Sequence, residues 1–162
     1  MRVSSTSRHE DSKARTGSGY GFGALVVSGL MILAVAAMAQ TTSPRTIEKG
    51  DQSNLDDATQ VLVRTEAEWS KLWQRHNPDR PKPAVDFSKE MVVGVFMGSR
   101  PNAGFSTAVI SATAANGALI VRYRETMPGA SSVTAQILTF PYHLVAIPKA
   151  DVKDVKFEKA ER

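Results

Sequence analysis

The chain has three histidines, His9, His76 and His143, and no cysteine. That composition narrows the available chemistry. Without thiols there are no disulfides, no thiolate nucleophile and no Cys-ligated metal, and a lipid anchor on a cysteine is excluded as well. His9 lies in a segment expected to be removed. His76 and His143 have no carboxylate at ligand spacing, so they form a poor metal site. His76 is expected to cap the C-terminus of a helix, where an imidazolium meets the negative end of the dipole. His143 follows Tyr142 at the end of a strand and reads as a structural hydrogen-bonder. A Ser106, His143 and Asp86 trio can be drawn on paper, but triads are defined by geometry and almost any chain offers such a set. Neither G-x-S-x-G nor H-E-x-x-H occurs. No catalytic residue, cofactor or metal is assigned, and the chain is not expected to be an enzyme.

The stretch GSRPNAGFS, residues 98–106, is of a different kind. Pro101 presets a turn, Asn102 and Gly104 tolerate positive φ, and a large ring, Phe105, closes the loop. Two roles fit Phe105: an anchor at the start of the next strand, or a wedge presented to a partner. Arg100, Pro101, Asn102, Gly104 and Phe105 are therefore the candidate partner-binding residues. A restricted loop binds well because less entropy is lost on association.

The elements that must position this loop follow from periodicity. Thr65-Glu66-Ala67-Glu68 has the form of a capping box. Trp69, Leu72, Trp73 and His76 then recur at i, i+3, i+4 and i+7, which predicts one short amphipathic helix over about 66–76. The tryptophans read as its buried stripe. Pro78, Pro81 and Pro83 forbid continuation, and Asp86 is expected to turn the chain by accepting backbone N–H bonds. Strands are predicted at 60–63, at 91–97 as a run buried on both faces, and at 106–112 with Ala108 and Ile110 opposite Thr107, Val109 and Ser111. Asn116-Gly117 signals a hairpin into 119–124, where Leu119, Val121 and Tyr123 share a face. Further strands are expected at 133–139, 143–147 and 155–158. Gly94 within its run suggests a bulge or a close neighbour. The expected class is α+β and mostly antiparallel β: a sheet, sandwich or partly closed barrel of about six strands with one short helix.

Residues 21–39 carry no charge, follow a basic flank and end in Ala37-Met38-Ala39, the form of a signal peptidase site. Two readings stand: a signal cleaved after Ala39, or an uncleaved membrane anchor, since about 20 apolar residues span a bilayer. Both place the remainder outside the cytoplasm, periplasmic or extracellular. The resulting organisation is a leader at 1–39, a polar linker and lead-in at 40–58, a β domain at 59–158 and a tail at 159–162. The formal net charge of +4 is unclustered and gives no argument for nucleic acid.

Several landmarks together resemble a known family. W69-x-x-L-W73, P83-A-V-D-F87, V92-V-G-V-F-M-G-S-R-P-N-A-G-F105, V121-R-Y-R-E-T-M-P-G129 and A135-Q-I-L-T-F-P-Y-H-L-V145 are similar to the PrcB C-terminal domain. The resemblance covers most of residues 46–158. It implies an exported, non-catalytic accessory domain, in some members supporting the assembly or stability of a surface protease. The lipid attachment that the resemblance implies for the founding protein does not carry over, because the cysteine is missing. Pro101-x-x-Gly104-Phe105 is in addition similar to the P-T-T-G-F loop of chagasin-type cysteine-protease inhibitors. The R-P-W loop of that family is absent here, as both tryptophans fall in the predicted helix.

Overall fold

The computed structural model describes residues 40–161. The expected leader, with His9 and the Ala37-Met38-Ala39 site, lies outside them. Strands β1 (Gln40–Thr42), β2 (Arg45–Gly50) and β3 (Thr59–Val63) precede helix α1 (Glu66–His76). Strands β4 (Glu90–Phe96), β5 (Ser106–Ala115), β6 (Ala118–Thr126), β7 (Tyr142–Pro148) and β8 (Asp154–Lys159) follow it. They form two four-stranded sheets, β1-β5-β6-β8 and β2-β7-β4-β3. Every pairing is antiparallel except β6 with β8. The fold is a β sandwich with one helix, not a closed barrel.

Alternation of side chains across a strand explains the layering. Met91, Val93 and Val95 of β4, with Val145 and Ile147 of β7, point one way and meet Val109, Ala112, Leu119, Val121 and Tyr123 of the opposing sheet. Val92, Phe96, Tyr142 and Leu144 point the other way and meet Trp69, Leu72 and Trp73 of α1. The second sheet is thus covered on both faces, which is why β4 reads as an unbroken apolar run. Gly94 marks a close neighbour and no bulge: a Cβ there would stand 3.0 Å from Leu144, Phe96 and Val61 side-chain atoms.

Helix α1 forms as its capping box predicts. Thr65 Oγ1 accepts from the Glu68 N–H at 3.3 Å, and Glu68 Oε2 accepts from the Thr65 N–H at 3.3 Å. The prolines after it do more than end the helix. The Trp69 and Trp73 indoles donate to the carbonyls of Pro83 and Arg80, at 2.9 and 2.8 Å. The Pro-rich segment is thereby folded back over the helix, and two buried N–H groups are satisfied.

Three expectations are corrected. Residues 40–50, expected within a polar linker, supply β1 and β2, so the described residues hold eight strands. Their polar sequence suits edge positions, where one face and one side of the strand meet water. Residues 133–138 form no strand, although Thr139 makes one isolated bridge to Arg100. The alternation of β5 holds only to Val109. A bulge between Val109 and Ser111 leaves Ile110 exposed and turns Ala112 into the core, because one extra residue reverses the parity of every side chain after it. The Asn116-Gly117 turn, by contrast, is as expected, with φ of 53° and 76° at its two positions.

Candidate functional site

The 98–105 loop joins the last residues of β4 to β5 and is held along its length by backbone bonds. The Ser99 N–H donates to Asp56 O at 2.9 Å. Arg100 and Thr139 exchange both of their backbone bonds, at 2.8 and 2.9 Å, and the Ala103 N–H donates to Ala135 O at 3.0 Å. Thr139 Oγ1 adds a bond to Asn102 O at 3.1 Å. Gly98 is required at the entry. Its φ is 73°, and a Cβ would sit 2.5 Å from Asp56 O, closer than backbone can tolerate. Gly104 is required at the exit, with φ 96° and a prospective Cβ at 3.1 Å from Pro128.

Pro101 and Gly104 are exposed, while Arg100, Asn102 and Phe105 are half-buried. The Arg100 guanidinium carbon lies 5.9 Å from the centre of the Phe105 ring, within cation–π reach, and Arg100 Nη1 donates to Ser99 O at 2.8 Å. Phe105 therefore combines parts of both expected roles. It immediately precedes β5 and braces the loop, and one part of its ring stays accessible beside a cation. The structure brings all five candidate residues into one turn.

The paper triad is not assembled. Asp86 lies in an exposed turn, where its carboxylate accepts from the Ser88 N–H at 3.0 Å and the Ser88 hydroxyl at 2.5 Å. These bonds, the hydroxyl first, hold its carboxyl below the usual range. Its backbone carbonyl accepts from the Lys89 and Glu90 N–H groups, which is the expected turn. His143 is buried, and both its ring nitrogens are engaged. Nδ1 accepts from the Val109 N–H at 2.9 Å, at the bulge of β5. Nε2 therefore carries the proton and donates to Thr46 Oγ1 at 2.9 Å. The ring links β7 to the bulge in the opposing sheet and to β2 in its own. Burial first, then the Lys49 charge, brings its pKa down to about 4. The expectation of a structural hydrogen-bonder is met.

The expectation for His76 is corrected. It is fully buried, with its ring centre 5.3 Å from Trp73, 5.3 Å from Phe96 and 4.3 Å from Tyr142. Burial holds its pKa below the ordinary value, outweighing Glu48, so it supplies no charge to the helix end. The end is satisfied otherwise: the Asn77 N–H reaches Trp73 O, the Asn54 N–H reaches His76 O, and Arg75 brings the cation. His76 Nδ1 is 2.8 Å from Ser53 Oγ, and Nε2 is 3.9 Å from Glu48 Oε2. This Ser–His–Glu alignment has a buried serine whose oxygen already accepts from the Leu55 N–H at 3.2 Å. Glu48 pairs with Arg80 at the surface. Tyr142 beside them is pushed up to about 12, by burial and then by the Glu48 charge.

Residues 91–148 match the family model described as PrcB C-terminal. This segment is similar to the PrcB C-terminal family. The matched PrcB C-terminal segment runs from β4 through β7 and contains the whole 98–105 loop, the β5–β6 hairpin, the 127–141 connection and His143. The tryptophan pair and the Asp86-Phe87 step lie outside it. No curated protein and no solved structure matches the chain. Among the described residues no cluster of metal-binding side chains occurs, and no helix is long and apolar enough to cross a membrane.

Sequence reasoning missed the 127–139 connection as the backing of the loop. Its alternating residues imitate a sheet strand, and only Met127-Pro128-Gly129 hinted at irregular chain. The Ser53–His76 contact was also missed, because nothing in sequence relates residues so far apart.

Proposed function

We propose that this chain is an exported, non-catalytic accessory domain that binds a protein partner, an extracytoplasmic protease, through Arg100, Pro101, Asn102, Gly104 and Phe105. The observation that carries the reading is the stiffness of that loop. Bonds to residues 56, 135 and 139 fix its backbone, so little entropy remains to be lost on docking. Its half-buried Phe105 ring and the neighbouring Arg100 guanidinium are of the kind enriched at protein interfaces. The absence of catalysis is supported by the engagement of both His143 nitrogens and by the burial of Ser53. The family match supports an accessory role by analogy alone. Insertion into a protease cleft in the chagasin manner is the weaker reading, because Arg100 covers the Phe105 ring.

The test is affinity capture from the extracytoplasmic fraction at physiological salt, comparing wild type with a Pro101→Ala, Arg100→Ala double variant. The expected result is a protease retained by wild type and lost by the folded variant. Equal recovery from both, or no specific protein from either, rejects the reading. Slowing of papain-like proteases by micromolar protein would favour the inhibitor instead.

A further inference from the structure

The connection from β6 to β7 contains an anomaly. From Thr126 to Pro148 the chain has no Lys, Arg, Asp or Glu. Within that stretch Val133 is fully exposed, and Met127, Ile137 and Leu138 are each more than half exposed. The backbone N–H groups of residues 133–138 donate to no other group of the described chain. Val133-Thr134-Ala135-Gln136-Ile137-Leu138 nevertheless has the composition of a strand. Ala135 and Thr139 are bonded on one side to the 100–103 loop, at Ala103 and Arg100. In extended chain, backbone groups alternate between edges. The edge carrying Thr134, Gln136 and Leu138 is therefore the one without a neighbour.

The other edges differ: β1 is only three residues long, and the remaining three have charges on or beside them. Edge strand β2 carries Arg45, Glu48 and Lys49, and edge strand β8 carries Lys156, Glu158 and Lys159. Edge strand β3 is flanked by Glu68, Lys71 and Arg75 of α1. Charges on or beside an edge discourage strand addition. A long, uncharged, apolar edge with none of these is a pairing surface.

We propose that residues 133–138 pair antiparallel with the same residues of a second copy, about a two-fold axis through Gln136. A two-fold places each residue opposite one from the same segment, so any charge there would meet a like charge across the axis or near it. This segment has none. Antiparallel pairing sets Thr134 opposite Leu138, Ala135 opposite Ile137 and Val133 opposite Thr139, so the exposed Ile137 of each copy lies on Ala135 and diagonal to Val133 of the other. The 100–103 loop lies along the other edge and stays free. Pairing of this segment and docking at the loop are therefore independent of each other.

The cysteine-free sequence supplies a clean probe. In the full chain, Gln136→Cys places one thiol on the axis, where paired Cα atoms are about 5.5 Å apart, within disulfide range. Lys156→Cys, on the exposed outer sheet, is the control. Paired segments hold the thiols at an effective concentration of about 1 mM. At about 10 μM protein, mild oxidation should then link Gln136→Cys copies about 100-fold faster than the control. Adding Ile137→Lys should abolish that difference while leaving Trp69 and Trp73 fluorescence native. Equal rates for the two cysteine positions overturn the proposal, and a surface reserved for a different protein would give that equality. Rapid linkage that survives Ile137→Lys in folded protein overturns it too.

Discussion

Replacing His143 separates two things its imidazole does at once: it satisfies a buried bulge, and it resists protonation. Above pH 6.5 the ring is neutral in both folded and unfolded chains, so its full contribution is present. As pH falls, the unfolded chain takes up a proton near 6.5, whereas the folded chain does so only near 4. Between these values the unfolded state binds more protons, and stability must decline. At about 1.4 kcal/mol per pH unit, the interval is worth roughly 3 kcal/mol. Below pH 4 both states are charged and no further loss arises from this group. The physical cause lies in the geometry: a proton on Nδ1 would confront the Val109 N–H, and the charge would be buried near Lys49.

Two variants divide the effect. His143→Asn keeps an acceptor near the Nδ1 position and cannot titrate. It should lose about 1 kcal/mol at pH 7.5, the worth of the Thr46 bond. His143→Leu also leaves the Val109 N–H unpaired, at about 1–3 kcal/mol more. Both should lack the acid step. Urea unfolding followed by tryptophan fluorescence, from pH 8 to pH 4, measures this directly. The difference between wild type and His143→Asn should shrink and then reverse as pH falls. Parallel curves for the two proteins, or an NMR spectrum placing the proton on Nδ1 at pH 7, would refute the reasoning.

Other outcomes follow from packing and local geometry. Trp73→Ala should cost about 3–5 kcal/mol, since its ring is buried between α1 and the second sheet; a urea midpoint near wild type would mean that the helix does not pack there. Gly104→Val places a β-branched residue at φ 96° against Pro128, and should lower the melting temperature and weaken loop-dependent binding together; unchanged melting speaks against strain. Thr65→Ala removes the cap of α1 and should cost about 1 kcal/mol. Guanidinium unfolding checks this last value, and an unchanged midpoint would leave the capping box without energetic weight.

How much was readable in advance differs from element to element. Helix α1 was legible because every signal for it is local: a cap, four buried residues on one stripe and a proline stop. The β5–β6 hairpin was legible because Asn116-Gly117 specifies its turn within two residues. The five loop residues could be singled out for the same reason, by their turn chemistry. His76 was placed correctly on the buried stripe, but its charge was misread: its last-turn position suggested an imidazolium, while surroundings from β2, β4, β7 and the 51–55 segment disfavour the charged form. Residues 133–138 were misread in the opposite sense. Their strand-like pattern is real, but a strand exists only where another chain segment lies alongside.

Local composition alone sufficed for the turns, the helix, the β class and the absence of thiol chemistry, because those depend on neighbours a few residues apart. Which polar segments became edge strands, which histidine nitrogen carries the proton and where the bulge reverses β5 were decided in three dimensions. Each of those outcomes depends on hydrogen-bond partners contributed by distant chain, and a buried donor or acceptor must find one wherever the fold provides it.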